Sequence, residues 1–425
     1  MKEDFLIYLW SQRLFSPNMI TQQNEDITII KPGERNFDSG PDFFNARIKL
    51  GDKTWAGNVE IHVNSSDWDK HGHTDDKAYD NIILHVVYKD DKPINRNNGE
   101  IIPCLQLKNN FDKTIINTYN GFLSARTWIA CENEISKVGH FDLHNWLDKL
   151  TIERLEKRSE IILDELETNK FDLQETFYHK LAKGFGFNTN STAFELMAAN
   201  TPLSILSKHR DNLLQIEAIL FGQAGFLDQD YSDDYPNQLK REYLFLSHKY
   251  NLKPIDRKLW KFMRLRPSNF PTIRISQFAS FIQKSDGFLT RIFETDNLQT
   301  VISLFKTYSS EYWEHHYRFD KISKKKSKKV LGIASIDLLI INTIVPFMFT
   351  YGQINNMPIL KKCSIEWLEK TKAENSLITR NFSKNNIRAS NAFQSQALIQ
   401  LYKEYCTNRR CLECRIGHKL MNKKE

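Results

Sequence analysis

Only 16 glycines, 12 prolines and six cysteines occur among the 425 residues. So little glycine and proline excludes a collagen-like or wholly disordered chain. Six cysteines are too few for a disulfide scaffold. No GxGxxG or GxxxxGK[ST] loop is present, which removes the usual nucleotide-binding fingerprints, and no GxSxG elbow marks a serine hydrolase. The opening Met1-Lys2-Glu3-Asp4 carries acids where a secretion signal carries bases. The longest apolar run, residues 330–351, is interrupted by Asp337, Asn342 and Pro346. An aspartate near the middle of a lipid-spanning helix costs about 2.5–3.5 kcal/mol, so this run is expected to be protein core. These absences predict a soluble cytoplasmic protein with no membrane partner.

What is present is ample apolar material, 40% of the chain, enough for two or three domains. The net charge of +7 is unevenly spread: residues 1–110 hold 13 basic and 17 acidic side chains, the remainder 46 and 35. Period changes along the chain as well. Short β-branched or aromatic runs at 27–31, 43–50, 54–63, 82–88 and 101–107 are separated by glycines and predict strands. Phe5, Leu6, Leu9 and Trp10 predict a helix before them. From about residue 141 the spacing is helical, with helices expected at 141–166, 172–184, 192–208, 212–225, 236–250, 275–284, 298–318, 330–343 and 390–406. The fold class expected is α+β: a mixed-sheet domain over 1–135 and a larger helical domain over 136–425.

Chemistry concentrates around Gly40-Pro41-Asp42 and Glu60-Ile61-His62. In the alternating run 54–63, Glu60 and His62 share one side. A three-residue turn at Gly51-Asp52-Lys53 would pair Leu50 with Thr54, setting Asp42 opposite His62; one residue of slip would turn Asp42 to the other face. Two carboxylates and an imidazole so gathered suit a divalent cation, Mg²⁺ or Mn²⁺, able to activate water and neutralise a phosphoryl transition state. Glu3 and Glu34 are candidates for a further acid. His71 and His73 flank Gly72 and read first as a polar loop, His85 as a core histidine; together with His62 they form an alternative histidine metal site.

An Asp before one strand, and a Glu two residues from a basic residue on the next, resembles the PD-(D/E)XK nuclease core. That resemblance implies Asp42 and Glu60 as catalytic metal ligands, assisted by the Ile61 carbonyl, and phosphodiester hydrolysis in nucleic acid. His62 stands at the position of that superfamily's lysine, and Lys49 and Lys70 are the candidates to replace its charge. Without such a replacement, a non-catalytic scaffold for nucleic acid or protein is the alternative. The tracts GPDFFNARI (40–48), WAGNVEIH (55–62), DNIILHVV (80–87), FGQAGFL (221–227), NFPTIRISQFA (269–279), INTIVPFMFTYG (341–352) and SQALIQLYKEYC (395–406) are similar to those of a Bacteroidota family of unknown function.

In the basic remainder, Arg264, Arg266 and Arg274, and the run containing Lys324, Lys325 and Lys326, are candidate phosphate contacts for a nucleic-acid partner. Cys406, Cys411 and Cys414 form a C-x4-C-x2-C cluster with His418 one turn beyond. Such a set can hold Zn²⁺ or an iron–sulfur cluster, with Cys363 or Cys131 as fourth ligand. Basic residues Arg409, Arg410, Arg415, Lys419, Lys423 and Lys424 follow the same segment.

Overall fold

A computed structural model describes residues 1–422, so Lys423 and Lys424 lie outside the described residues. The chain divides into two compact units. The first comprises residues 1–146 together with 402–425, and the second residues 147–401. The expected boundary at 135 therefore moves to 146. The Cys406–Cys414 segment, assigned from sequence to the helical domain, groups instead with the N-terminal unit. Side-chain ties explain this: Tyr8 Oη lies 2.8 Å from His418 Nδ1, and Arg415 Nη2 lies 2.8 Å from Asp142 Oδ1.

The first unit opens with α1 (Glu3–Ser11), in which Phe5, Leu6, Leu9 and Trp10 are all buried. A seven-stranded mixed sheet follows, formed by β1 (Met19–Ile20), β2 (Asp26–Lys31), β3 (Glu34–Arg35), β4 (Phe43–Leu50), β5 (Lys53–Asn64), β6 (Ile82–Lys89) and β7 (Cys104–Gln106). Its path is β1-β2-β4-β5-β6-β7, with β3 pairing to β4. Strands β2, β4 and β5 form an antiparallel meander, whereas β6 lies parallel to β5 and β7 parallel to β6. Parallel neighbours need a crossover of a dozen residues or more. The β5–β6 crossover carries α2 (Asp67–Lys70) and a 3-10 turn, Lys77–Tyr79. Trp68 from α2 packs with Tyr79, Ile82, Ile94 and Ile102 in a small core of its own.

The register of β4 on β5 decides the site. Leu50 pairs with Lys53, one residue tighter than expected, and a bulge between Phe43 and Ala46 then moves the pairing one residue further, to Phe43 with Val59. Asn45 takes φ +55° in that bulge, a left-handed conformation asparagine tolerates better than most residues. The two single-residue departures have the same sense. They bring Asp42 beside Glu60 rather than His62 and keep it on the same face. Close approach of β6 to β5 requires Gly57, where a Cβ would stand 2.4 Å from Ile83 Cγ2 and 2.7 Å from the Asn81 carbonyl.

The second unit is helical, with one large core running from Leu155 to Phe393. The helix expected over 298–318 is broken: Leu298–Leu304 and Tyr312–His315 are separate, and His316–Arg318 pairs with Lys321–Ile322 as a hairpin. Helices Pro358–Lys370 and Leu377–Lys384, and Lys113–Ser124 in the first unit, were not foreseen. The apolar run forms a continuous helical stretch, Ile333–Ile354, with a mean hydropathy of 1.8. Its most apolar window is 67% buried within the protein. Long enough to cross a membrane by length alone, it is a core helix here. Arg158 from the second unit donates to the Ile341 carbonyl and to Asn342 Oδ1.

Candidate metal centre

Glu60 and His62 are two residues apart on β5, and His85 on β6 is the register partner of Glu60. Side chains at i and i+2 share a strand face, as do direct partners in a parallel ladder, so all three stand on one face. None is solvated: Glu60 is 5% exposed, His62 and His85 1% each. This face of β5 is therefore buried at these positions. Asp42 and Glu60 grip one another's strands reciprocally. The Asp42 N–H donates to Glu60 Oε2 (3.0 Å), and the Ile61 N–H donates to Asp42 Oδ2 (3.1 Å). Burial first, and then the Glu60 charge, push the Asp42 carboxyl up, against the pull of the Ile61 N–H.

A third acid arrives from α1. Burial, then the charges of Glu60, Asp67 and Asp4, push Glu3 up to about 7. Of the two acids considered from sequence for this site, Glu3 lies within electrostatic reach of Glu60 and His73. Glu34 instead pairs with Lys31 at 2.6 Å on the surface. Neither candidate lysine reaches in: Lys70 pairs with Asp67 at 2.5 Å, and Lys49 sits toward the hairpin end of β4, opposite Thr54.

Histidines complete the cluster. The polar-loop expectation for His71 and His73 is corrected, because the α2 segment folds both back over β5. The His73 N–H closes onto the Trp68 carbonyl (3.2 Å) across Gly72, whose φ of +72° suits glycine. Trp68 is buried beneath, its indole edge-on to His62 and His73 and its Nε1 donating to Thr74 Oγ1. His73 stacks on Tyr79 at 3.8 Å. The donor atoms of His62, His71 and His73 lie within 4.8 Å of one another. His62 Nε2 is 3.1 Å from His71 Nδ1 and 3.5 Å from Glu60 Oε1, and His73 Nε2 is 3.3 Å from the same oxygen. Two donors sharing one cation at roughly 2.0–2.1 Å stand roughly 3.3 Å apart in a tetrahedral shell, which these separations match. The far nitrogen of His62 meets His85 Nε2 at 2.9 Å. A ligating imidazole is commonly oriented through its other nitrogen in this way.

Charge supports the same assignment. Burial, then the neighbouring His85, His73 and His71, push His62 down to about 2, and burial pushes His85 down to about 3. Both imidazoles are neutral at pH 7, the form a metal ligand requires. His73 Nε2 is buried and accepts or donates no hydrogen bond. An orphaned nitrogen, neutral imidazoles and crowded carboxylates with no lysine among them form a donor set that fits a divalent cation.

The remaining sequence candidates fall elsewhere. Arg264, Arg266, Lys324, Lys325 and Lys326 are exposed on the second unit. Lys326 lies 3.4 Å from Glu314. Arg274 is corrected as a surface phosphate contact. It is 6% exposed, donates to Gln277, Asn269 and Ser335, and lies over the Phe187 ring. His418 Nδ1 lies 2.8 Å from the Tyr8 hydroxyl. Cys363 belongs to the second unit, whereas Cys131 lies within electrostatic reach of Cys414 and Cys411. The second unit also holds a cavity of about 610 Å³ bordered by Glu217, Tyr235, Tyr312 and His316, with a mostly apolar lining.

Fold and site together define an α+β protein with a carboxylate–histidine cluster on the polar face of its sheet. Residues 3–376 match the family described as "Protein of unknown function (DUF2851)". The chain belongs to that family. No curated protein and no solved structure matches it. The matched residues include Glu3, Asp42, Glu60, all four clustered histidines and Cys131, and end before the three C-terminal cysteines.

Proposed function

We propose that this protein is a metal-dependent phosphodiesterase of nuclease-like type, hydrolysing nucleic acid at the Asp42–Glu60 end of the sheet. The observation that carries the reading is the meeting of Asp42 and Glu60, from two strands, with His62 and His73 against Glu60 and with Glu3 of α1 within electrostatic reach. Carboxylates crowd together in a half-buried place at a cost that a cation relieves. Asp42 at the mouth of β4, and Glu60 two residues from His62 on β5, keep the spacing that resembles the PD-(D/E)XK core. Oxygen donors alone would suit Mg²⁺; imidazoles beside them favour Mn²⁺ or a later transition metal. A bound cation supplies Lewis-acid charge to the phosphoryl oxygens and a more acidic water. The chain's own part is then to hold the acids fixed through the Asp42 and Ile61 N–H groups, to orient His62 through His85, and to leave His71, the exposed member, on the solvent side. The excess of basic residues beyond position 110 is in keeping with an anionic substrate.

The test is cleavage of labelled single- and double-stranded DNA and RNA with Mg²⁺, Mn²⁺ or Zn²⁺, beside Glu60→Ala. Loss of cleavage by roughly 10²–10⁴-fold in the variant is expected. Equal cleavage by both proteins rejects the site. One observation favours a second reading. His62 is neutral and bonded to His85, so the positive charge of a lysine is missing from its position. Absence of cleavage with every metal, together with retained nucleic-acid binding, would identify a non-catalytic scaffold.

A further inference from the structure

Four of the six cysteines gather in the first unit, from distant parts of the sequence. Cys131 lies in the loop after the helix Lys113–Ser124; the other three lie in 406–414. Protein contacts hold these two segments together. Arg409 donates to the Phe122 and Ala125 carbonyls at 2.7 and 2.6 Å. Tyr402 stacks on Trp128 at 4.7 Å, and Tyr405 packs edge-on to Trp146 at 5.3 Å. As a result Cys131 is within electrostatic reach of Cys414 and Cys411, and Cys406 of all three.

The chain turns sharply between Cys411 and the helix Arg415–Met421. Gly417 is required for this fold-back, because a Cβ there would stand 2.2 Å from the Cys411 carbonyl oxygen. Spacing distinguishes the kinds of metal. Among the described residues, only the histidine trio brings three donor atoms within 4.8 Å of one another. No three of the four sulfurs therefore stand at the roughly 3.8 Å edge of a zinc tetrathiolate with 2.3 Å bonds. A polynuclear core with its own bridging sulfides takes thiolates set further apart, and C-x4-C-x2-C with one remote cysteine is a known spacing for one.

We propose that Cys131, Cys406, Cys411 and Cys414 ligate an iron–sulfur cluster that fastens the C-terminal segment to the N-terminal unit. It is independent of the carboxylate–histidine centre. The test is anaerobic purification of the full chain, reconstitution with ferrous iron and sulfide, desalting, and measurement of bound iron, acid-labile sulfide, zinc and visible absorption. About two or four irons per chain with equal sulfide are expected. That content should fall at least about fivefold in Cys131→Ser and Cys411→Ser and persist in Cys363→Ser. The wild-type measurement decides even if Cys131→Ser fails to fold. One zinc per chain without iron, no iron after reconstitution, or equal iron loss in Cys363→Ser would each overturn the proposal.

Discussion

Glu217 offers the sharpest test of the second unit's interior. It lies in the helix Leu213–Gln223, 1% exposed, and accepts from Ser276 Oγ at 2.5 Å and from the Tyr235 hydroxyl at 2.6 Å. Burial pushes its carboxyl from 4.5 up to about 7 despite those hydroxyls. The folded state thus holds the proton more tightly than the unfolded chain. Below about pH 4.5 both states are protonated and the stabilising contribution is whole. As pH rises from 4.5 to 7 the unfolded chain releases its proton first, and stability falls at about 1.4 kcal/mol per unit. Above about 7 both states are ionised and the loss is complete, at about 3 kcal/mol over the interval. Glutamine does not titrate, and its amide keeps one acceptor for one hydroxyl while donating to the other. Glu217→Gln is therefore expected to gain about 3 kcal/mol relative to the wild type between pH 4.5 and pH 8. Urea unfolding of both proteins across that range measures it, since other titrations cancel in the difference. Parallel stability curves would refute the buried, proton-holding carboxyl.

Four further outcomes follow from the same geometry. Gly57→Ala places a methyl against Ile83 and the Asn81 carbonyl and is expected to cost about 1–3 kcal/mol; unchanged urea midpoints would argue against the tight β5–β6 approach. Glu3→Gln removes one of the crowded acids and should stabilise the metal-free protein by about 1 kcal/mol or less after solvent screening, seen as a raised thermal midpoint, while weakening Mn²⁺ binding measured by calorimetry. Arg274→Ala leaves Gln277, Asn269 and Ser335 without their donor and should cost about 1–3 kcal/mol of stability. Replacing Lys324, Lys325 and Lys326 by alanine should change stability by about 0.5 kcal/mol or less, and should flatten the salt dependence of any nucleic-acid binding.

The strands could be read because their two-residue period survives in the sequence: four of the five expected runs match β2, β4, β5 and β6 within one residue at either end. Runs of helical spacing were a weaker guide where tertiary pairing overrode them. Residues 298–318 carry apolar side chains at helical intervals, yet the Ser309 N–H donates to the Lys329 carbonyl and the Leu331 N–H to the Thr307 carbonyl. Those long-range bonds extract 307–309 from any helix. The missed helices had signals at their starts. Asp112 caps Lys113–Ser124, Pro358 opens Pro358–Lys370, and Ser376 forms a capping box with Thr379.

The site was half legible, and the division follows from chain distance. Asp42, Glu60 and His62 could be brought together because a hairpin links them, so only its register was in doubt; the bulge at Asn45 then restored the face that the tighter turn at Leu50–Lys53 had reversed. His71 and His73 could not be brought in by pattern alone. Their position depends on four residues of α2, one left-handed glycine and the buried anchor Trp68, none of which has a period. Spacing alone left the fourth cysteine open between Cys131 and Cys363, and the contacts of Arg409 with Phe122 and Ala125 bring the Cys131 loop to the C-terminal three. The local hairpin set out Asp42, Glu60 and His62, and packing beyond it brought in the other imidazoles and the Cys131 loop. A metal reading drawn from the hairpin alone favoured Mg²⁺ or Mn²⁺, and the residues delivered by packing shift that preference toward Mn²⁺ and later transition metals.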